Sequence, residues 1–422
     1  MSKATEHFFD EKKEWSIAKD ELLRCYLRPY MNKLFKTNKT NVYIDCFSGA
    51  GKFGDQPIEY VNIEDDSVPE SFGSPLIALK EIYRSLGDTK APIPRYLAIF
   101  IEKKYSQDLI ANLEESQFSS ARYRVLDGEY QHLIQNIMDK IIEHYKRPNL
   151  LCYLDPYGVK VLKMDYLKRF MRDELSSIEL LINFNSFGFF RYACGAKNIT
   201  IREQELKKPD EVDEMTPLTK NEGANRLEIF DEILGTRAWN RVIASYQSNL
   251  IDGYKAERLI SGLYRKQLKR KLRFEYVLNI PIRLNDSVHP KYRMIYATNH
   301  DHGAYLMGNV MHNRQHYLYD QNAISKSGSL SLFDPEDLNQ ERPMDECVLE
   351  LLDMEGELGG IRFYAKFYDR YYLTSRLGEA LKKLEKDGMI SIERVPATTA
   401  TGRPSKFLTE KQGQKLFIKL NK

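Results

Sequence analysis

Asp45 closes an apolar run, VYIDCF at 42–47, and Gly49 and Gly51 follow it at once in VYIDCFSGAGKFG. Glycines directly after a strand let the chain turn tightly and let a ligand approach the backbone. With Gly54 the loop fits GxGxxG loosely, but it lacks the Lys-Ser/Thr pair of a phosphate P-loop, which argues against nucleotide hydrolysis. A carboxylate at the strand end repels a pyrophosphate and attracts an ammonium, such as the amino group of S-adenosylmethionine. The order Asp45-x-Phe47-x-Gly49-x-Gly51 therefore differs from a nicotinamide loop, and a nicotinamide-dependent oxidoreductase is the weaker alternative. Two further apolar runs end in acids. YLAIFIE stops at Glu102, where a carboxylate can accept both ribose hydroxyls, and YRVLDG holds Asp127, an acceptor for an adenine amino group. Acids closing three successive strands line one sheet edge, the edge at which doubly wound folds bind ligands. A glycine-rich turn or a polar strand end occurs without a ligand when taken singly; together they favour one.

The run LLCYLDPYG at 150–158 places Asp155, Pro156 and Tyr157 at the same edge. Methyltransferases acting on exocyclic amines carry Asp/Asn-Pro-Pro-Tyr/Phe there. The acid and the proline carbonyl accept the amine hydrogens, the lone pair is left aimed at the methyl group, and the ring stacks on a flipped base. Such transfer rests on positioning and desolvation more than on a general base. The chain has one proline where that motif has two, and Asp-Pro-Tyr-Gly resembles the variant in tRNA guanine dimethyltransferases. A strand-terminating Asp-Pro turn is the plain alternative.

Positioning these residues calls for a parallel α/β sheet. The runs 42–47, 96–102, 123–128, 150–156 and 178–184 read as strands buried on both faces. ALKEIYRSL, QDLIANLEES, YQHLIQNIMDKIIEHY and MDYLKRFMRDEL between them are apolar at helical spacing. FEYVLNIPIRL (274–284) and KYRMIYATNH (291–300) read as a closing antiparallel pair, giving the seven-stranded, Rossmann-like count and order of a class I methyltransferase sheet. Residues 190–273 read as a helical insertion. Asp45 and Glu102 stand 57 residues apart, mostly because of the acidic loop DQPIEYVNIEDDSVPES, after which Ser74 and Pro75 are expected as N-cap and first residue of a helix.

Charge marks a division of the chain. Residues 320–357 carry eleven acids against Lys326 and Arg342, and residues 360–422 carry fourteen Lys or Arg against six acids. The stretch SKSGSLSLFDPEDLNQERP between the two main parts reads as a linker. The expected parts are an N-terminal helical cap at 1–40, a methyltransferase domain at 41–335 and a winged-helix domain at 340–422. In the last, a helix at 344–356 and a second from YYLTSRLGEALKKLEKDGMI precede the strands ISIERVP and KFLTE around a Gly-Arg-Pro turn. Leu377, Ala380, Leu381 and Leu384 form one face of the second helix, stopped by Gly388.

Across 422 residues the formal charge is only +3, so no global sign of a nucleic-acid binder exists. Local signs do. KAERLISGLYRKQLKRKLRF (255–274) carries eight basic residues, among them Lys269 and Arg270, against Glu257. In the winged-helix segment Arg376, Lys382, Lys383 and the turn residue Arg403 are candidate nucleic-acid contacts, though solvated basic helices and protein-binding winged helices have the same composition. His312 and His316 stand four apart, with His300 and His302 nearby, but no acid or cysteine joins them at ligand spacing, so no metal is assigned. Cys25, Cys46, Cys152, Cys194 and Cys347 make no CxxC and suit reduced thiols. The start lacks a signal-peptide core and no apolar run approaches a membrane span, so a cytoplasmic location is expected.

In order along the chain, FFDEKKEWSIAKDELLRCYLRPY, YIDCFSGAGKFG, GSPLIAL, FIEKK, YLDPYG, LLINFN and YATNHDHGAYLM resemble the three-Cys-motif partner family, a group of bacterial methyltransferase-like proteins. The resemblance spans residues from about 8 to 320. It implies a class I S-adenosylmethionine fold with Asp45, Phe47, Gly49, Gly51, Glu102 and Asp127 at the cofactor and Asp155 to Tyr157 at the acceptor. It also implies that the helix with Trp15, Ser16 and Lys19 closes over the methionine end, Lys19 facing the cofactor carboxylate; a surface lysine on an amphipathic helix is the other reading. The three cysteines belong to a radical-SAM-like neighbour, which becomes the implied partner. Two functions follow: a methyltransferase acting on an exocyclic amine of a nucleic-acid base, or a non-catalytic nucleic-acid-binding partner of that neighbour.

Overall fold

The computed structural model describes residue 12, 14–54, 58, 68–88, 95–116, 118–202, 226–282, 292–326, 343–371, 377–411 and 413–421. Contacts divide the chain into Met1–Thr298 and Asn299–Lys422. The linker expected near 335–340 lies outside the described residues.

In the first unit seven strands form one sheet: β1 (Asn41–Asp45), β2 (Tyr96–Glu102), β3 (Tyr123–Asp127), β4 (Asn149–Leu154), β5 (Ser177–Phe184), β6 (Tyr276–Ile282) and β7 (Tyr292–Thr298). Their order is β3-β2-β1-β4-β5-β7-β6. The first five run parallel and β7 lies antiparallel between β5 and β6. This mixed, mostly parallel sheet is consistent with a Rossmann-like methyltransferase fold. β1 and β4 are buried at every position, which is why they read as unbroken apolar runs.

The helices of this unit are α1 (Glu14–Leu34), α2 (Ser74–Asp88), α3 (Ser106–Glu115), α4 (Tyr130–His144), α5 (Met164–Lys168), α6 (Ser186–Ala196), α7 (Arg226–Leu234), α8 (Trp239–Gln247) and α9 (Gly253–Leu272). On α1, Leu23, Tyr26, Leu27, Tyr30 and Met31 are buried, and its Tyr26 reaches Glu179 in β5, so α1 covers one sheet face. The opposite face shares a core with α4 to α9, in which Ile44, Leu154, Ile182, Phe189, Trp239 and Tyr264 are all buried. The described part of 190–273 thus supplies much of one layer, its buried apolar side chains joining the sheet core.

Ser74 begins α2 but does not cap it. The carbonyl of Gly73 accepts the first helical bond, from Ile77 N at 3.1 Å, and the Ser74 hydroxyl turns away to Asp45. Gly73 thus takes the expected N-cap position, and the Ser74 hydroxyl acts as a donor to Asp45 where a capping side chain would accept from a helix N–H.

The second unit holds α10 (Asp301–Lys326), α11 (Met344–Glu355), β8 (Leu358–Gly359), α12 (Gly360–Arg370), α13 (Leu377–Lys386), β9 (Ile390–Val395) and β10 (Lys415–Leu420), with an antiparallel sheet in the order β8-β10-β9. Val348, Leu351, Phe363, Phe367, Leu381, Leu384, Leu416 and Ile418 form its core. KFLTE, expected as a strand, is not one: its Phe407 and Leu408 carbonyls accept from Arg394 and Tyr364 instead of a ladder. The returning strand is KLFIKL, where Leu416 and Ile418 alternate inward. The sequence reading also passed over α12.

Candidate functional site

Strand register places the acids. Asp45 pairs with Phe100 in β2 on one side and with Tyr153 in β4 on the other. Side chains alternate along a strand. Glu102 and Asp155, each two residues beyond those partners, therefore flank the end of β1 on the face covered by α1, with the glycine loop between them.

The loop turns through Gly49, Gly51 and Gly54 at φ of 59°, 78° and 71°, left-handed values that favour glycine. A Cβ on Gly51 would stand 2.7 Å from Leu109 Cδ1. The segment before α2 pairs with the loop, Gly73 N donating to Gly51 O at 2.9 Å and Phe53 N to Ser71 O at 2.7 Å. Asp45 is wholly buried: its Oδ1 accepts from Phe47 N at 3.1 Å and its Oδ2 from Ser74 Oγ at 2.6 Å. Burial pushes its pKa up to about 7, against the two hydrogen bonds, with the charges of Asp155 and Asp20 adding to the rise. Asp45 thus holds the loop and presents no oxygen to the surface. Phe47 packs edge-on to Tyr130 of α4, ring centroids 5.2 Å apart.

Glu102 is engaged from three sides. Oε2 accepts from Gly49 N at 2.8 Å, and Oε1 from Lys104 N at 2.8 Å and Tyr105 N at 3.2 Å. A carboxylate offers about four lone pairs, so about one remains, enough for a single hydroxyl where the sequence suggested two. Asp127 stands exposed at the end of β3.

Asp155, half-buried just past β4, accepts from Lys19 Nζ at 2.7 Å on Oδ2 and from Asn183 Nδ2 at 2.6 Å on Oδ1. Lys19 is 7% exposed and stacks over Tyr292 at 5.4 Å, so it is not a surface lysine. Beside it Asp20 pairs with Lys12 at 2.7 Å, and Lys12 also donates to Phe72 O at 2.8 Å. Burial raises the Asp20 pKa, opposed first by the Lys12 charge. The N-terminal segment thereby contributes two lysines and an acid to the edge. Pro156 is buried and Tyr157 is 53% exposed.

Sequence reasoning missed Asn183, Asp20 and Lys12, and it missed Glu179. Glu179, two pleats inward from Asn183 on the same face, accepts from Tyr26 and Tyr296 and, at 3.5 Å, from Thr298 Oγ1. Burial pushes its pKa up to about 7 against those bonds. The only available signal was an acid inside the apolar run IELLINF.

The remaining candidates are dispersed. Arg270 is exposed and Lys269 half-buried on α9. In the second unit Lys382 and Arg403 are exposed, whereas Lys383 is paired with Asp345 of α11. Arg403 follows the tight turn at Gly402 (φ 77°), with Thr399 N donating to Arg403 O at 2.7 Å. Arg376 lies outside the described residues, as does the side chain of His316. The rings of His300 and His302 stand 5.7 Å apart, and among the described residues no three His, Cys, Asp or Glu side chains gather as a metal site. No helix among them is long and apolar enough to cross a membrane.

No family model matches the chain, and no curated protein matches it. Solved structures give loose likenesses. A protein from Legionella pneumophila str. Philadelphia 1 described under the family model DUF519 is 13% identical, with a TM-score of 0.26, covering 40% of this chain and 68% of its own. A loganic acid methyltransferase with SAH is 9% identical, with a TM-score of 0.26, covering 68% of this chain and 97% of its own.

Proposed function

We propose that the first unit is an S-adenosylmethionine-dependent methyltransferase acting on an exocyclic amine of a nucleic-acid base. One observation carries the reading: Glu102 and Asp155 flank the end of β1 on one face, with a left-handed glycine turn between them.

The residues present fit the cofactor. Exposed Asp127 is an open acceptor for an adenine amino group, Glu102 retains room for one ribose hydroxyl, and Lys19 has two ammonium hydrogens beyond the one given to Asp155. S-adenosylmethionine supplies an electrophilic methyl on a sulfonium. Asp155 and the Pro156 carbonyl accept the hydrogens of the incoming amine and orient its lone pair, and the exposed ring of Tyr157 offers a stacking surface for a base. Asp45 acts indirectly by bracing the loop.

The second unit supports a nucleic-acid substrate. Its order of helix, short strand, two helices and an antiparallel hairpin, with β10 between β8 and β9, matches a winged helix, and Arg403 sits in the wing turn. On the first unit Lys266, Arg270, Lys271 and Arg273 are exposed along the end of α9.

Calorimetric titration with S-adenosylmethionine, beside Asp127→Ala and Glu102→Ala, tests the cofactor. Micromolar binding weakened in both variants is expected. Asp155→Ala should keep that binding and lose methyl transfer. A second reading has its own support: both oxygens of Asp155 are already engaged, as in a scaffold that partners a three-Cys-motif protein. Turnover by the purified chain alone would remove that reading.

A further inference from the structure

Asp155 is held in a fixed plane by two residues from different elements. Lys19 of α1 donates to Oδ2 at 2.7 Å, and Asn183 of β5 donates to Oδ1 at 2.6 Å. Both holders are buried, at 7% and 1% exposure, while Asp155 is the partly open member of the three. Because a carboxylate only accepts, the amide must face it with its NH2 end, and this sets the orientation of Asn183. Its Oδ1 is then left buried with no hydrogen-bond partner among the described residues. An unsatisfied buried carbonyl costs about 1–3 kcal/mol, so packing alone gives no reason for an amide here; leucine, which precedes it twice in LLINF, would fill the place.

Resting on the methyltransferase reading, we propose that Asn183 and Lys19 are positioning residues for Asp155. Each takes one lone pair of a different carboxylate oxygen, leaving about one on each oxygen. An unsubstituted exocyclic amine brings two hydrogens, one for a lone pair left on Asp155 and one for the Pro156 carbonyl. A hydroxyl acceptor brings only one. The substrate class that suits the restrained carboxylate is therefore the primary amine, and the N-terminal helix completes the chemistry edge through Lys19.

The test uses the full chain with tritiated-methyl S-adenosylmethionine and, as acceptors, total tRNA and genomic DNA. Wild type, Asn183→Ala, Lys19→Met and Lys19→Arg are compared for kcat and KM, and cofactor affinity is measured separately by calorimetry. Misplacing a reacting group by about 1 Å can cost about 100-fold. Asn183→Ala should lose about 10- to 100-fold in kcat with cofactor affinity within about two-fold of wild type, and Lys19→Met should show a kcat loss of the same order. Lys19→Arg, which still donates to the carboxylate, should recover part of that loss. Wild-type kcat in Asn183→Ala and Lys19→Met overturns the positioning role, and so does a loss of cofactor affinity in Asn183→Ala parallel to its loss of rate. A wild-type chain that binds cofactor but methylates neither acceptor overturns the underlying reading instead.

Discussion

Ser74 Oγ donates to Asp45 Oδ2 at 2.6 Å, tying the first turn of α2 to the end of β1. The bond is stronger to an ionised carboxylate than to a neutral one. Asp45 titrates near 7, so Ser74→Ala should cost more in alkali. About 1.5–3 kcal/mol is expected at pH 8.5 and about 0.5–1.5 kcal/mol at pH 5. Thermal unfolding at the two pH values measures this; equal losses at both would show that the hydroxyl does not bond the charged form.

Asp45 and Glu179 both have folded-state pKa values of about 7, raised by burial. The folded chain holds these protons more tightly than the unfolded chain, whose carboxyls titrate near ~4. Their contribution to stability is complete below about pH 4 and is lost as pH rises through about 7. Denaturant unfolding at pH 5, 6, 7 and 8 should show stability falling with pH, and Glu179→Gln should flatten the fall. A slope unchanged in both Glu179→Gln and Asp45→Asn would place its origin elsewhere.

The sheet was legible because β1, β2, β4 and β5 are buried on both faces and therefore appear as apolar runs closed by acids or turn residues. The fifth run expected to be so buried, β3, is instead an edge strand that exposes Arg124 and Asp127. Which acids face outward was not legible. Asp45, Glu102 and Asp127 look alike as strand ends, yet one is buried, one is largely engaged by backbone N–H groups and one is exposed. That difference comes from Ser74 and from the backbone at 49, which lie 29 and 53 residues from Asp45 and Glu102 where no local pattern encodes the contact, and from the turn at 104–105 beside Glu102. Asn183 escaped for the same reason, as did the pairing of Lys19 with Asp155, since 28 and 136 residues separate them from Asp155. The returning strand was misplaced because KFLTE and KLFIKL are both short apolar runs flanked by lysine, and only the second carries two core residues, Leu416 and Ile418.

Gly51 should not tolerate a side chain. Its φ of 78° already disfavours alanine, and the new Cβ would stand 2.7 Å from Leu109 Cδ1. Gly51→Ala is expected to cost about 1–3 kcal/mol and to weaken S-adenosylmethionine binding. Gly388→Ala, at φ 71° with open space around it, serves as the control for positive φ without a clash. Adding Leu109→Ala should restore part of the cofactor affinity lost in Gly51→Ala. No recovery would show that the backbone, and not the clash, sets the effect.

Arg293 in β7 pairs with Glu257 of α9 through two bonds of 2.6 and 2.8 Å, with side-chain exposures of 5% and 0%. Removing one member leaves a buried charge uncompensated, and Glu257→Ala should cost about 3–5 kcal/mol. The exposed pair Arg28–Asp88 has similar geometry, yet Arg28→Ala should cost no more than about 1 kcal/mol. Denaturation midpoints of the two variants decide the matter. Comparable losses would mean that burial does not set the worth of these pairs.

In the second unit, Arg403 and Lys383 make opposite cases if nucleic acid is the partner. Arg403 is exposed at the hairpin turn, whereas Lys383 is already paired with Asp345. A phosphate approaching Lys383 must compete with that carboxylate, while Arg403 meets a phosphate directly. Arg403→Ala should therefore weaken binding to duplex DNA or tRNA and lower the dependence of log K on log salt by about one. Lys383→Ala should change neither quantity as much, and Asp345→Asn should strengthen binding by freeing the ammonium. Fluorescence anisotropy across a salt series separates these outcomes. Equal effects of Arg403→Ala and Lys383→Ala would argue for a diffuse basic surface, and no salt dependence at all would remove nucleic acid as the ligand of this unit.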